Sequence, residues 1–111
     1  MDRSITPVRN LFAAIPEVLP DELVETLASS GSVRIERIIS KGHITPEGSW
    51  YDQEEHEFVV LLKGEGHVLY ESGEVFRLLP GDCLNIPAHQ KHRVTYTMPD
   101  GDTVWLAVFY S

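Results

Sequence analysis

Cysteine and long apolar runs are scarce in this chain of 111 residues. The one cysteine, Cys83, cannot form an internal disulfide, which agrees with a reducing compartment. No apolar run approaches the roughly 18 residues of a membrane span, and no basic leader followed by an apolar signal region stands at the start. We therefore expect a cytoplasmic protein without a membrane partner. Cys83 lies among strand-like residues, so we expect a small buried side chain there rather than a catalytic thiol.

Positive charge is also in short supply. Lysine and arginine number 9 against 17 aspartates and glutamates, and the formal net charge is -8. This charge would repel a phosphate backbone, and no stripe of basic residues offsets it. We therefore expect no nucleic-acid partner, and we interpret the acidity as a solvated surface that keeps the protein soluble.

Glycine and proline divide the chain from residue 32 onward into short segments. Apolar and polar residues alternate, or apolar residues cluster, in segments 33–39, 66–70, 75–79, 83–86, 92–97 and 103–110. Short strands at regular spacing with Gly/Pro punctuation predict an antiparallel sandwich or barrel. The length and the lack of an internal repeat predict one domain.

The first part of the chain has a different pattern. Residues 1–9 are polar and without periodicity, which predicts a loose arm. In residues 21–28 the apolar side chains fall on one helical face, acids occupy the first turn, and Gly31 is placed to end a helix. We therefore predict that residues 1–31 form an arm and a short helix packed on the barrel, and that residues 32–111 form the barrel.

Two glycine-anchored motifs carry a family resemblance. In the first motif, Glu57 stands seven positions before Gly64 at the end of an apolar strand. In the second, Gly81 precedes Pro87, and His92 follows five positions later. Together they resemble the two motifs of the cupin superfamily, and the acidic lead-in resembles that of small bacterial single-domain cupins. The resemblance implies an all-β fold, the cupin double-stranded β-helix or jelly-roll barrel.

The resemblance also implies a metal site, from which this sequence departs. Cupins usually carry a His-x-His pair just before the glutamate. The aligned positions here are Tyr51 and Gln53, or Trp50 and Asp52 if the gap is one residue longer. Two of the four expected ligands are therefore replaced, and carboxylate, amide and imidazole ligands together show no clear metal preference.

The candidate metal ligands are Gln53, Glu57 and His92, and the metal could be Fe, Mn, Ni or Zn. Because side chains alternate along a strand, Glu57 shares a face with residue 53 if the strand extends that far. The candidate substrate contacts lie beside the predicted mouth of the barrel or on the strand face of His92; they are Trp50, Tyr51, His43 and Tyr96.

Two functions remain open at this point. The first is a metal-dependent enzyme that acts on a small polar metabolite, with the metal held by Gln53, Glu57 and His92. The second is a metal-free module that binds a sugar or an organic acid, in which Glu57 is hydrogen-bonded to His92 or Tyr51. We also expect a homodimer, because the closing run 104–110 is apolar on both faces and needs to be covered.

Overall fold

The computed structural model describes residues 8–111, and these residues form eight β-strands joined by turns and loops. The strands are β1 (Leu23–Ser30), β2 (Val33–Ser40), β3 (His56–Lys63), β4 (Gly66–Tyr70), β5 (Val75–Leu78), β6 (Cys83–Ile86), β7 (His92–Thr97) and β8 (Thr103–Tyr110). Every strand predicted from residue 33 onward is confirmed to within one residue. No helix within the described part of the chain is long and apolar enough to cross a membrane.

The strands form two antiparallel sheets that face each other. The larger sheet has the order β1-β2-β8-β3-β6, and the smaller has the order β5-β4-β7. Along β3, alternate residues point into the space between the sheets, so Glu57, Val59 and Leu61 are buried. The core between the sheets consists of Val59, Leu61, Val68, Leu78, Ile86 and Trp105. The predicted all-β barrel is therefore confirmed.

The segment predicted as a short helix is strand β1, so that prediction is wrong. Strand β1 pairs antiparallel with β2, which makes it the edge of the larger sheet rather than a helix packed on the barrel. Leu23, Glu25 and Leu27 are half-buried, while the residues between them are exposed. The apolar spacing satisfies a period of two as well as a helical period, and β2 supplies the hydrogen bonds that decide between them.

Residues 11–13 lie against the outer face of β2 and are held there by a buried arginine. The side chain of Arg37 is 1% exposed. It donates hydrogen bonds to the backbone carbonyls of Leu11 at 3.0 Å and Ala13 at 2.8 Å, and its Nε donates to Glu25 at 2.6 Å. The predicted loose arm falls mostly on residues 1–7, which lie outside the described residues.

Strands β8 and β6 differ from their expected surroundings. Strand β8 lies in the middle of the larger sheet, between β2 and β3, so neighbouring strands already cover both of its edges. The homodimer stays a prediction, because it was inferred from the two apolar faces of the run and not from its edges. Strand β6 is the other edge of this sheet, and Cys83 is exposed on it rather than buried. The alternation that places Ile86 inside directs Cys83 outward.

Candidate functional site

A cavity of about 170 Å³ opens between the two sheets. Its wall is mostly apolar, and the apolar members are Val24, Ile38, Val59, Val68, Ile86, Val94, Trp105 and Phe109. Its polar members are Glu22, Glu36, Tyr51, Glu57 and His92. A concave, mostly apolar wall with a few converging polar groups is typical of a small-molecule site.

Glu57 and His92 meet inside this cavity from opposite sheets. Glu57 is the second residue of β3 and His92 is the first of β7, and both are buried, at 8% and 4% exposure. The distance from Nε2 of His92 to Oε1 of Glu57 is 3.7 Å. The other ring nitrogen, Nδ1, donates to the backbone carbonyl of Gln90 at 2.8 Å, which fixes the orientation of the ring.

The charge state of His92 follows from these contacts. Burial by itself lowers the pKa of His92, but the Glu57 carboxylate and the Gln90 carbonyl both raise it, and the net pKa is above its usual value. The imidazolium and the carboxylate therefore stabilise each other as a buried ion pair at mildly acidic pH.

Tyr51 lies at the mouth of the cavity beside His92. An isolated antiparallel bridge joins the backbones of the two residues, and their ring centroids are 5.6 Å apart. Tyr51 is 44% exposed. Burial of its hydroxyl and the negative charge of Glu22 raise the pKa of Tyr51, so it presents a neutral phenol to the cavity.

Glu22 is a cavity residue that sequence reasoning missed. It directly precedes β1, and the Ser40 hydroxyl donates a hydrogen bond to its Oε2 at 2.8 Å. Nε1 of Trp105 in turn donates to Ser40 Oγ at 3.3 Å. Burial and the negative charge of Glu57 raise the pKa of Glu22, against the opposing effects of the Ser40 hydrogen bond and of His43. The prediction of a helix assigned Glu22 to a first turn, whereas the pairing of Leu23 with Ile39 places it beside Ser40.

Glu36 also lines the cavity, but its carboxylate forms an ion pair with the neighbouring Arg34. Nε of Arg34 donates to Oε2 of Glu36 at 2.8 Å, and the same guanidinium contacts Glu55 at 3.2 Å. The guanidinium carbon of Arg34 lies 4.4 Å from the ring centroid of Phe109. Glu36 is therefore a neutralised member of the cavity wall.

Of the predicted site residues, the structure brings Glu57, His92 and Tyr51 together in the cavity wall. Gln53 is half-buried in the loop before β3, does not line the cavity, and accepts a hydrogen bond from the His89 N–H on its backbone carbonyl at 2.7 Å. Because β3 begins at His56, the strand alternation does not extend back to residue 53.

Trp50 and His43 lie outside the cavity wall. The Arg93 guanidinium lies over the Trp50 ring, with its carbon 5.6 Å from the ring centroid. Nδ1 of His43 accepts from the Lys41 N–H at 2.9 Å, and its Nε2 donates to the Leu19 carbonyl at 2.9 Å. His43 therefore joins the loop after β2 to the N-terminal segment.

Tyr96 does not share the face of His92, because β7 carries a β-bulge. The register between β4 and β7 shifts so that Val94 pairs with Val68 but Tyr96 pairs with His67. The extra residue turns Tyr96 to the outer side of the sheet. There its ring lies 4.7 Å from the His67 ring.

The donor set of the cavity does not fit a metal centre of three or more ligands. Within residues 8–111, no three His, Cys, Asp or Glu side chains converge as a metal site would require. Glu57 and His92 converge, but they face each other as an ion pair, and Gln53 lies elsewhere. We therefore assign no chemical step to a metal ion.

Comparison with known proteins agrees with the fold and the motifs. The family model for the cupin domain matches residues 37–109. A crystal structure from Ralstonia eutropha JMP134, provisionally named a mannose-6-phosphate isomerase, is 39% identical with a TM-score of 0.91. The match covers 96% of this chain and 99% of that chain. No curated protein matches the sequence.

Two more distant structures show the same fold. An RmlC-like cupin with a double-stranded β-helix from Methanocaldococcus jannaschii is 18% identical with a TM-score of 0.68, over 86% of this chain and 85% of that one. The DMSP lyase DddQ of Ruegeria pomeroyi DSS-3 is 21% identical with a TM-score of 0.67, over 81% of this chain and 47% of that one. The chain therefore belongs to the cupin superfamily and has its double-stranded β-helix fold.

Proposed function

We propose that the barrel cavity binds a small organic molecule directly, with Glu57 and His92 as its polar anchors. The observation that carries this proposal is the buried carboxylate–imidazole pair, with 3.7 Å between Nε2 and Oε1, in an otherwise apolar wall. That distance is longer than a hydrogen bond, so both groups can form charge-assisted hydrogen bonds with a polar group of the ligand.

The dimensions of the cavity favour a small ligand. Its volume of about 170 Å³ is below the roughly 300–1,000 Å³ of pockets that hold drug-sized molecules. Valine, isoleucine and aromatic side chains make up most of the wall, so the body of the ligand should be apolar with its polar group at one end.

A sugar phosphate is a poor match for the same wall. The Ralstonia protein bears the name of a mannose-6-phosphate isomerase, and a phosphate dianion needs cationic donors. The cavity wall, as far as residues 8–111 form it, contains three glutamates and one histidine but no lysine or arginine. We therefore do not extend that substrate to this chain.

Proton transfer on the bound ligand is a second candidate function. The His92 imidazolium, whose pKa is raised, can donate a proton, and the adjacent Glu57 carboxylate can accept one. The isomerase name of the Ralstonia protein, 39% identical to this chain, favours this candidate over binding alone.

The test is a thermal-shift screen of small metabolites against the wild-type protein, Glu57→Gln and His92→Asn. The control is Glu54→Gln, which removes an exposed acid three positions away. A ligand at about a hundred times its Kd should stabilise the wild type and the control by about 2.7 kcal/mol, and both cavity variants much less. Equal stabilisation of all four proteins would place the ligand outside the cavity and contradict the proposal.

Catalysis can be separated from binding by NMR in D2O. If the pair transfers protons, a C–H bond of the bound ligand should exchange with solvent deuterium in the wild type and not in His92→Asn. Binding without exchange would leave the protein as a binding module and overturn only the second candidate.

A further inference from the structure

We propose that the ligand of the cavity carries a positively charged nitrogen, and that Glu22 is the residue that selects it. This inference rests on the proposed binding function and names the chemical class of its ligand. It is carried by the balance of charge in the cavity wall and by the aromatic rings that line the same cavity.

The negative charges of the three glutamates in the cavity wall are not equally balanced by neighbouring positive charges. Glu36 is bound by Arg34 at 2.8 Å, and Glu57 faces His92 at 3.7 Å. For Glu22, the described hydrogen bond comes from the neutral hydroxyl of Ser40, and no cation among residues 8–111 lies within ion-pair distance. The imidazole of His43 is bound to the backbone instead: its Nε2 donates to the Leu19 carbonyl and its Nδ1 accepts from the Lys41 N–H. Glu22 is therefore the carboxylate of the wall that has no ion-pair partner in the described part of the chain.

An uncompensated, partly buried carboxylate discriminates between ligands by their charge. A ligand carboxylate or phosphate would add a second negative charge beside Glu22 and would be repelled. An alcohol would offer one neutral hydrogen bond. An ammonium group would supply the missing counter-charge, and the reduced dielectric of the cavity strengthens that attraction.

The surrounding side chains suit an organic cation in particular. Tyr51, Trp105 and Phe109 line the same cavity, and cations bind favourably over aromatic rings. The guanidinium carbon of Arg34 already lies 4.4 Å from the Phe109 ring centroid. The rings of Tyr51 and Trp105 are therefore the ones that could contact a cationic ligand. Trp105 also donates to Ser40 Oγ, and through Ser40 it holds the Glu22 carboxylate in place. The apolar part of the wall, which includes Val24, would enclose a short alkyl chain.

The experiment uses three probes of nearly the same shape: isopentylamine, isopentanol and isovalerate. Their binding is measured by calorimetry on the wild type, on Glu22→Gln and on Asp21→Asn, which removes the exposed acid next in sequence. Glutamine keeps the shape of the side chain and an acceptor for the Ser40 hydroxyl. We expect the wild type to bind the amine at least tenfold more tightly than the alcohol, and isovalerate most weakly. Glu22→Gln should reduce amine affinity about tenfold and leave alcohol affinity nearly unchanged, and Asp21→Asn should resemble the wild type.

Several results would overturn the inference without touching the proposed function. One is binding of isopentanol or isovalerate as tight as that of the amine in the wild type, a comparison that needs no variant. Another is unchanged amine affinity in Glu22→Gln, and a third is a neutral or anionic metabolite that occupies the cavity while no amine does. Failure of all three probes to bind, together with no metabolite whose stabilising effect depends on Glu57 and His92 in the thermal-shift screen, would instead overturn the proposed function, and the inference with it.

Discussion

Nε2 of His92 lies 3.7 Å from Oε1 of Glu57 inside the barrel, and the two residues come from different sheets. The pair therefore joins the two sheets electrostatically inside the cavity. Burial lowers the pKa of His92, but the carboxylate and the Gln90 carbonyl outweigh it, so the folded protein binds the His92 proton more tightly than the unfolded chain does.

The first prediction concerns the pKa of His92, which determines how this residue contributes to stability at different pH. Because folding raises the pKa of His92, its contribution to stability is fully present below the unfolded value and is lost as pH rises through the folded value. We expect the pKa of His92, followed by NMR of the ring protons, to lie above that of a model histidine in the wild type. In Glu57→Gln it should fall, because burial remains while the carboxylate is gone.

The matched control for this titration is Glu54→Gln, which removes an exposed acid from the same stretch of chain. It changes the net charge by the same amount but leaves the pair intact. If both variants lowered the pKa of His92 equally, the cause would be the overall charge of the protein rather than the contact with Glu57.

The second prediction concerns Gly66, which packs directly against the indole of Trp105. A Cβ at residue 66 would stand 2.2 Å from Cη2 of the indole, so the ring fills the space that a side chain would occupy. We expect Gly66→Ala to lower the free energy of unfolding by about 1–3 kcal/mol, as overpacking does. Gly101→Ala is the control, because a Cβ there meets nothing within 4 Å, and its effect should stay within about 0.5 kcal/mol.

A double-mutant cycle tests the cause of that cost. Phenylalanine lacks the outer indole atoms that the new Cβ would meet, so Gly66→Ala should cost less in a Trp105→Phe background than in the wild type. Equal costs in the two backgrounds would mean that the loss arises in the strand backbone and not in the contact with the indole.

Sequence reasoning succeeded where local pattern decides structure. Turn residues separate the strands from Val33 onward, and each strand contains alternating or continuous apolar residues. The positions of the strands could therefore be predicted from these patterns. Glu57 and His92 each stand at the start of a strand whose next inward positions are apolar, Val59 and Val94. Alternation alone therefore directs both into the core, and the structure brings them together.

Sequence reasoning failed where pairing with another strand determines the structure of a segment. Residues 23–30 satisfy the spacing of a helix and of a strand, and the edge of β2 settles the choice. Glu22 enters the cavity as a result of that pairing, so no local pattern marks it. Tyr96 leaves the inner face because of a bulge in β7, and a bulge of one residue has no signature in this sequence.

The third prediction concerns metal binding. Glu57 and His92 supply two donors, and the described cavity wall offers no third that converges with them, so we expect weak binding of Fe, Mn, Ni or Zn. After incubation with each metal salt and dialysis, elemental analysis should find well below one equivalent per chain. Near-stoichiometric metal, lost in both Glu57→Gln and His92→Ala, would contradict this expectation and revive the predicted ligand set that includes Gln53.

The last prediction concerns Arg37, which holds the N-terminal segment against the outer face of the larger sheet. Its guanidinium donates to the carbonyls of Leu11 and Ala13 and to the Glu25 carboxylate while it is almost fully buried. We expect Arg37→Leu to lower the free energy of unfolding by about 1–3 kcal/mol, because it leaves the carbonyls of Leu11 and Ala13 and the partly exposed Glu25 carboxylate without their donor.

The same substitution should release residues 11–13 before the barrel itself unfolds. Their amide hydrogens should exchange faster in Arg37→Leu, while those of β3 and β8, which pair in the middle of the sheet, keep their protection at low denaturant. Arg77→Leu, which removes an exposed arginine bound to Glu65, is the control and should leave this exchange unchanged. If exchange rose uniformly across the barrel instead, Arg37 would stabilise the fold as a whole, and the segment would not be a separately anchored unit.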